Sequence, residues 1–224
     1  MAPNPTSSPA TAPAPAAPVH DYSAPLRFWH WSNWLLISGQ LITILFVKVI
    51  VNAKSAAPEF QQTLGRQGIE LSQQQARSLT HIISERIWDW HIYIGLTLAA
   101  FWVLRVLLEV RGPARQRFSA RFMEQMRRFR LAPPAERGEA GQALFAKYTY
   151  LAFYLMLTVM VITGVSLVLA EDYAWLHDIE HPIKEVHEVT MYLILAFFAV
   201  HLVGVLWAEL TKEHGLISRM IGGK

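Results

Sequence analysis

Four histidines occupy positions where histidine is costly. His30, His91, His187 and His201 each fall inside a long apolar run. Ionisable side chains in a bilayer are expensive and mark a functional site by default, and a neutral imidazole offers a nitrogen lone pair to a transition metal. The stretch VHEVTMYLILAFFAVHLVG, residues 186–204, carries His187 and His201 fourteen positions apart. Fourteen α-helical residues rise about 21 Å and return to within about 40° of the same face. One helix would therefore present two rings on one side at two depths.

The elements that must hold these rings are four apolar blocks, at about 28–51, 87–110, 148–170 and 186–208. A helix of about 20 residues crosses the roughly 30 Å hydrocarbon layer. Only helices or closed barrels satisfy their backbone polar groups in lipid, and these blocks do not alternate with period 2. The fold expected is all-α: an integral membrane four-helix bundle forming one domain over residues 25–224. The 53% hydrophobic content agrees. Residues 1–24 open with MAPNPTSSPATAPAPAAP, in which six of eighteen residues are proline. That stretch has neither the basic leader nor the apolar core of a signal peptide, and is expected to be a disordered cytoplasmic tail.

Charge sets the expected orientation. The connection between the second and third blocks, residues 111–147, holds eight arginines and one lysine against three glutamates. The connection between the third and fourth, EDYAWLHDIEHPIKE, is acidic, and the one after the first, about 52–86, has four basic residues. The positive-inside rule puts both termini and the Arg-rich connection in the cytoplasm. The arginines set topology and touch anionic headgroups. Nucleic acid is not an expected partner, although the pI is near 9.3. Trp29, Trp31, Trp34, Trp88, Trp90, Trp175 and Trp207 lie at block ends, where tryptophan favours the interface. Lys48 and Arg105 lie near span ends, where long cations snorkel.

With this topology the four rings sort into two levels. His91 and His187 share the outer level; His30 and His201 share the inner one. That arrangement suits two stacked haems, each gripped by a histidine from two helices. His30 lies only two or three residues into its block and His201 about seven from the end of its own, a mismatch of about one helical turn. The chain has no cysteine, which excludes cysteine-ligated clusters and covalently attached c-type haem. Arg105, fourteen residues after His91, belongs to the same face at the inner level. It and Arg27 are candidates to pair with haem propionates. Thr163 is a candidate for a helix-to-helix or propionate hydrogen bond. Gly39, Gly95, Gly164 and Gly204 allow close approach of a porphyrin or of another helix. Met160 and Met191 read as core. His177 and His181, at i, i+4 spacing, form a weaker candidate metal pair.

The chain resembles the bacterial dihaem cytochrome b group, which includes the cytochrome b subunit of membrane-bound nickel–iron hydrogenases and the small cytochrome b561 proteins. YSAPLRFWHW at 22–31 is similar to the hydrogenase subunit's opening motif. WHIYIGLTLAAFWVLRVLLEVRGP at 90–113 resembles the cytochrome b561 second helix, and KEVHE at 184–188 followed by His201 is similar to both. The resemblance implies two non-covalent haem b groups with His30, His91, His187 and His201 as axial ligands. It also implies an electron-transfer subunit working between an iron–sulfur redox partner on the outer face and the quinone pool, within a hydrogenase-like respiratory complex. The alternative is a free-standing cytochrome b561-type oxidoreductase between quinone and a small outside molecule such as superoxide, drawn by Arg86 or Lys184. A haem-free structural or transport bundle is a third possibility.

Overall fold

The computed structural model describes residues 24–51, 53–114, 117–211 and 215–222. The tail expected over 1–24 lies outside the described residues except for Ala24, as do His20 and His214. Four long helices dominate. Helix α1 spans Ala24–Leu45 and continues as a π-helical stretch, Phe46–Ile50. Helices α3 (Gln73–Arg111), α5 (Arg137–Leu169) and α7 (Glu180–Thr211) are the others. All four are long and apolar enough to cross a membrane. Shorter helices connect them: α2 (Ala53–Gly65), α4 (Phe118–Leu131) and α6 (Ala174–His177), with α8 (Leu216–Gly222) at the end.

The long helices run up, down, up and down. Contacts pair the end of α1 with the middle of α3 (Thr43–His91), α3 with α5 (Trp102–Thr158), and α5 with α7 (Thr163–His187). The start of α1 meets the later part of α7 (His30–His201). At mid-depth Ile37, Leu98, Ala99, Leu157, Val161 and Ile194 form a buried cluster drawn from all four helices. The outward faces carry Leu35, Ile42, Val103, Leu155, Val200 and Val203, all exposed. In water such a surface would aggregate; in lipid it is the expected exterior.

The connections depart from the expectation of loops. Residues 52–86 were expected to be a polar outer connection, yet α2 and the first turns of α3 occupy most of it. Ser72 starts α3 with a capping box: its hydroxyl accepts from Gln75 N–H at 3.2 Å and Gln75 Oε1 accepts from Ser72 N–H at 2.8 Å. At 39 residues, α3 is about 58 Å long, so it projects well beyond a bilayer core. Ala57 of α2 and Ala76 and Thr80 of α3 are buried where the two pack. The turn between them passes through Gly68 at φ 79°, a conformation side-chain-bearing residues resist.

The Arg-rich connection also folds. Helix α4 lays Phe118 and Phe122 against Tyr150 and Tyr148 of α5, with ring centroids 5.0 and 5.1 Å apart. Glu109 accepts from the Phe118 N–H at the free N-terminal end of α4, and Arg117 donates to the Val110 and Gly112 carbonyls that end α3. The arginines at 121, 127, 128 and 130 follow on the same helix.

Candidate haem-binding site

The histidines fall at two levels, as their spacing predicts. At the end of the bundle where α1 begins and α7 ends, His30 faces His201 with ring centroids 6.2 Å apart and planes at 58°. The rings meet although the offset of about one turn persists at the helix ends: His30 lies six residues after Ala24 and His201 ten before Thr211, so α7 runs on past the start of α1. His30 also meets Trp31 edge-on at 5.7 Å, and His201 stacks on Phe197 at 6.2 Å with a 3° interplanar angle. His30 is half-buried and His201 exposed along the side of the bundle.

At the other level, where α1 ends, stand His91 of α3 and His187 of α7, tied to that end of the bundle by Thr43–His91 and by Lys48–Glu188. Each has a threonine hydroxyl on its Nδ1: Thr43 at 2.8 Å from His91 and Thr163 at 2.9 Å from His187. Both threonines are buried. Gln40 Nε2 donates to the His91 carbonyl at 2.8 Å, and Trp88 lies edge-on to the His91 ring at 5.2 Å. Gly164 explains how His187 reaches α5: a Cβ there would stand 3.2 Å from the imidazole Cε1. Close approach was expected at the mid-span glycines. The neighbour is an imidazole at Gly164, the Gln40 side chain at Gly95 and Ile94 at Gly39, while Gly204 faces open space.

Other expected residues have partners of their own. Arg105 lies at the His30 end of α3, donating to Tyr150 Oη at 3.0 Å and pairing with Glu109 at 3.3 Å. Beside it Trp29 Nε1 donates to Tyr154 Oη at 2.8 Å. Arg27 is half-buried in the first turn of α1. Met160 packs on the central cluster. His177 and His181 do not form an i, i+4 pair on one helix. His177 ends α6 and pairs with Glu180 at 3.4 Å; His181 belongs to α7 and pairs with Glu185 at 3.6 Å. Thr43 was not anticipated. Its signal was its depth: thirteen residues beyond His30, about 20 Å along the helix, it reaches the level of His91.

Four apolar helices carrying two histidine levels define a multi-pass membrane protein of cytochrome type. The chain belongs to the prokaryotic cytochrome b561 family, whose model matches residues 21–223. It is a membrane cytochrome b with an electron-transfer role, and its family implies haem b. It is similar to a protein of Rhizobium leguminosarum bv. viciae named as a probable Ni/Fe-hydrogenase B-type cytochrome subunit, at 24% identity over 230 residues, covering 92% of this chain and 88% of that one. No solved structure matches the chain.

Proposed function

We propose that the chain is the dihaem membrane subunit of a hydrogenase-like respiratory complex, linking an iron–sulfur redox partner on the outer face to the quinone pool. His91 and His187 hold one haem b near the outer face; His30 and His201 hold the other near the cytoplasm. Haem b supplies a one-electron ferric/ferrous couple when bound.

The observation that carries this is the facing of His30 and His201. A haem iron bound there would take one nitrogen from each ring, and the 6.2 Å between the ring centres would leave room for one metal atom between them. The donor set fits as well. Among the described residues no group of three or more His, Cys, Asp or Glu is arranged to hold an ion. Two nitrogens per level suit a metal whose other positions a macrocycle fills. Arg27 and Arg105 are the inner-level cations proposed for propionates, Arg105 already sharing its charge with Glu109.

Both termini are assigned to the cytoplasm, with α4 lying along anionic headgroups through its arginines. The hydrogen bond from Trp31 Nε1 to the Met220 carbonyl, 3.0 Å, supports a common side for the first and last helices. The free-standing reading needs unpaired cations near the outer level to draw an anion. Arg86 is paired with Asp89 at 3.8 Å while Lys184 is exposed, so these cations leave both readings standing and the partner subunit is what the test below decides.

The test is haem content by pyridine haemochrome on detergent-purified protein, with His91→Ala and His201→Ala beside it. Two haems per chain, and the loss of a different one in each variant, are expected. A chain with no haem under adequate haem supply would refute the assignment. Co-purification of an iron–sulfur protein separates the two functional readings.

A further inference from the structure

We infer that Thr43 and Thr163 are positioning residues for the outer pair, each fixing its imidazole as the Nδ1–H tautomer and lowering the potential of the haem held there. The inference rests on the proposed ligation by His91 and His187. It begins from hydroxyl proton accounting. Thr43 Oγ1 lies 2.7 Å from the Gln40 carbonyl and 2.8 Å from His91 Nδ1. Thr163 Oγ1 lies 2.7 Å from the Val159 carbonyl, 3.2 Å from that of Met160 and 2.9 Å from His187 Nδ1. A carbonyl only accepts, and a hydroxyl has one proton. If that proton pointed at the ring, two oxygens would face each other at 2.7 Å with no proton between them. The hydroxyl therefore donates to its own helix and accepts from Nδ1–H.

Two threonines on different helices, with different carbonyl partners, reach the same result. Nε2 of both His91 and His187 keeps its lone pair for a metal. A ring that donates from Nδ1 to an oxygen gains electron density at Nε2, which stabilises the ferric state and lowers the potential. The inner rings meet Trp31 at His30 and Phe197 at His201, as His91 meets Trp88; what sets the outer rings apart is the threonine hydroxyl on each Nδ1. The two levels thus differ in the polarity around their ligands, in the sense that favours electron movement from the outer haem to the inner one.

The test is redox titration of the purified dihaem protein, followed optically and by electron paramagnetic resonance, in Thr43→Val, Thr163→Val and the two serine variants. His91→Ala identifies the outer haem by its loss. Each valine variant is expected to shift the outer couple upward by about tenfold in its reduction equilibrium, or about 59 mV for one electron, with the inner couple unmoved. Serine, which keeps the hydroxyl, should restore the wild-type potential. Loss of the outer haem in the valine variant but not the serine variant also supports the inference. Unchanged potentials and g-values in both valine variants overturn it, as does haem loss in valine and serine variants alike. If His91→Ala retains both haems, the ligation itself is wrong, whatever the threonine variants do.

Discussion

Lys48, on the π-helical end of α1, is ion-paired with Glu188 of α7, the residue after His187, and its ammonium also lies 5.6 Å above the Tyr192 ring. This joins the first and last of the long helices at the level of the outer histidines.

Both side chains are 45% exposed, so the pair is discounted as a source of stability. Lys48→Met and Glu188→Gln should each change stability little, and less at high salt. In thermal unfolding in detergent, a double variant should be no less stable than the worse single one. Additive losses would show that each residue acts through other contacts.

Gly164 and Gly204 make opposite predictions. A methyl at Gly164 would stand 3.2 Å from the His187 ring, which Thr163 already holds, so the ring has little room to yield. Gly164→Ala should disturb the outer haem's absorption or occupancy. Gly204 has nothing within 4 Å of an added Cβ, and alanine is favoured over glycine in a helix by about 1 kcal/mol. Gly204→Ala meets no protein atom and should leave the outer haem's spectrum intact and the melting temperature of the haem-free chain equal or higher. Identical behaviour of the two variants would deny the imidazole contact its importance.

Tyr154→Phe removes the acceptor of the Trp29 indole N–H, a bond made at 2.8 Å between α1 and α5. An orphaned, part-buried donor costs about 1–3 kcal/mol. For a chain of this size, the melting temperature should fall by about 2–4 °C per kcal/mol. An unchanged melting temperature would mean that the indole finds another acceptor.

Glu124 on α4 lies 3.1–3.3 Å from the Arg127 and Arg128 side-chain nitrogens, and their hydrogen bonds hold its carboxyl below the ordinary glutamate value. A depressed folded-state pKa contributes stability above the unfolded value, which is about 4.3, and loses it as pH falls through the folded one. Wild type and Glu124→Gln should therefore differ in amide-exchange protection of α4 at neutral pH and converge in acid. A difference that persists in acid would exclude the carboxylate charge as its source.

The amino-acid sequence by itself determined the spans and the two histidine levels. Apolar length decides whether a segment crosses a bilayer, and rise and angle per residue set the depth and facing of each ring along its own helix. His187 and His201 could be placed from these quantities alone. Polar composition misled over residues 52–86, because a polar stretch can be helical when a neighbour buries one of its faces, as Ala57, Ala76 and Thr80 do between α2 and α3. Only the tertiary structure decided which side chains meet across helices. That Thr43 touches an imidazole, that Arg105 turns to Tyr150 and Glu109, and that His187 lies against Gly164 all depend on the rotation and spacing of one helix against another. A hydrogen bond tolerates only a few tenths of an ångström, and no periodicity within a single helix carries that information.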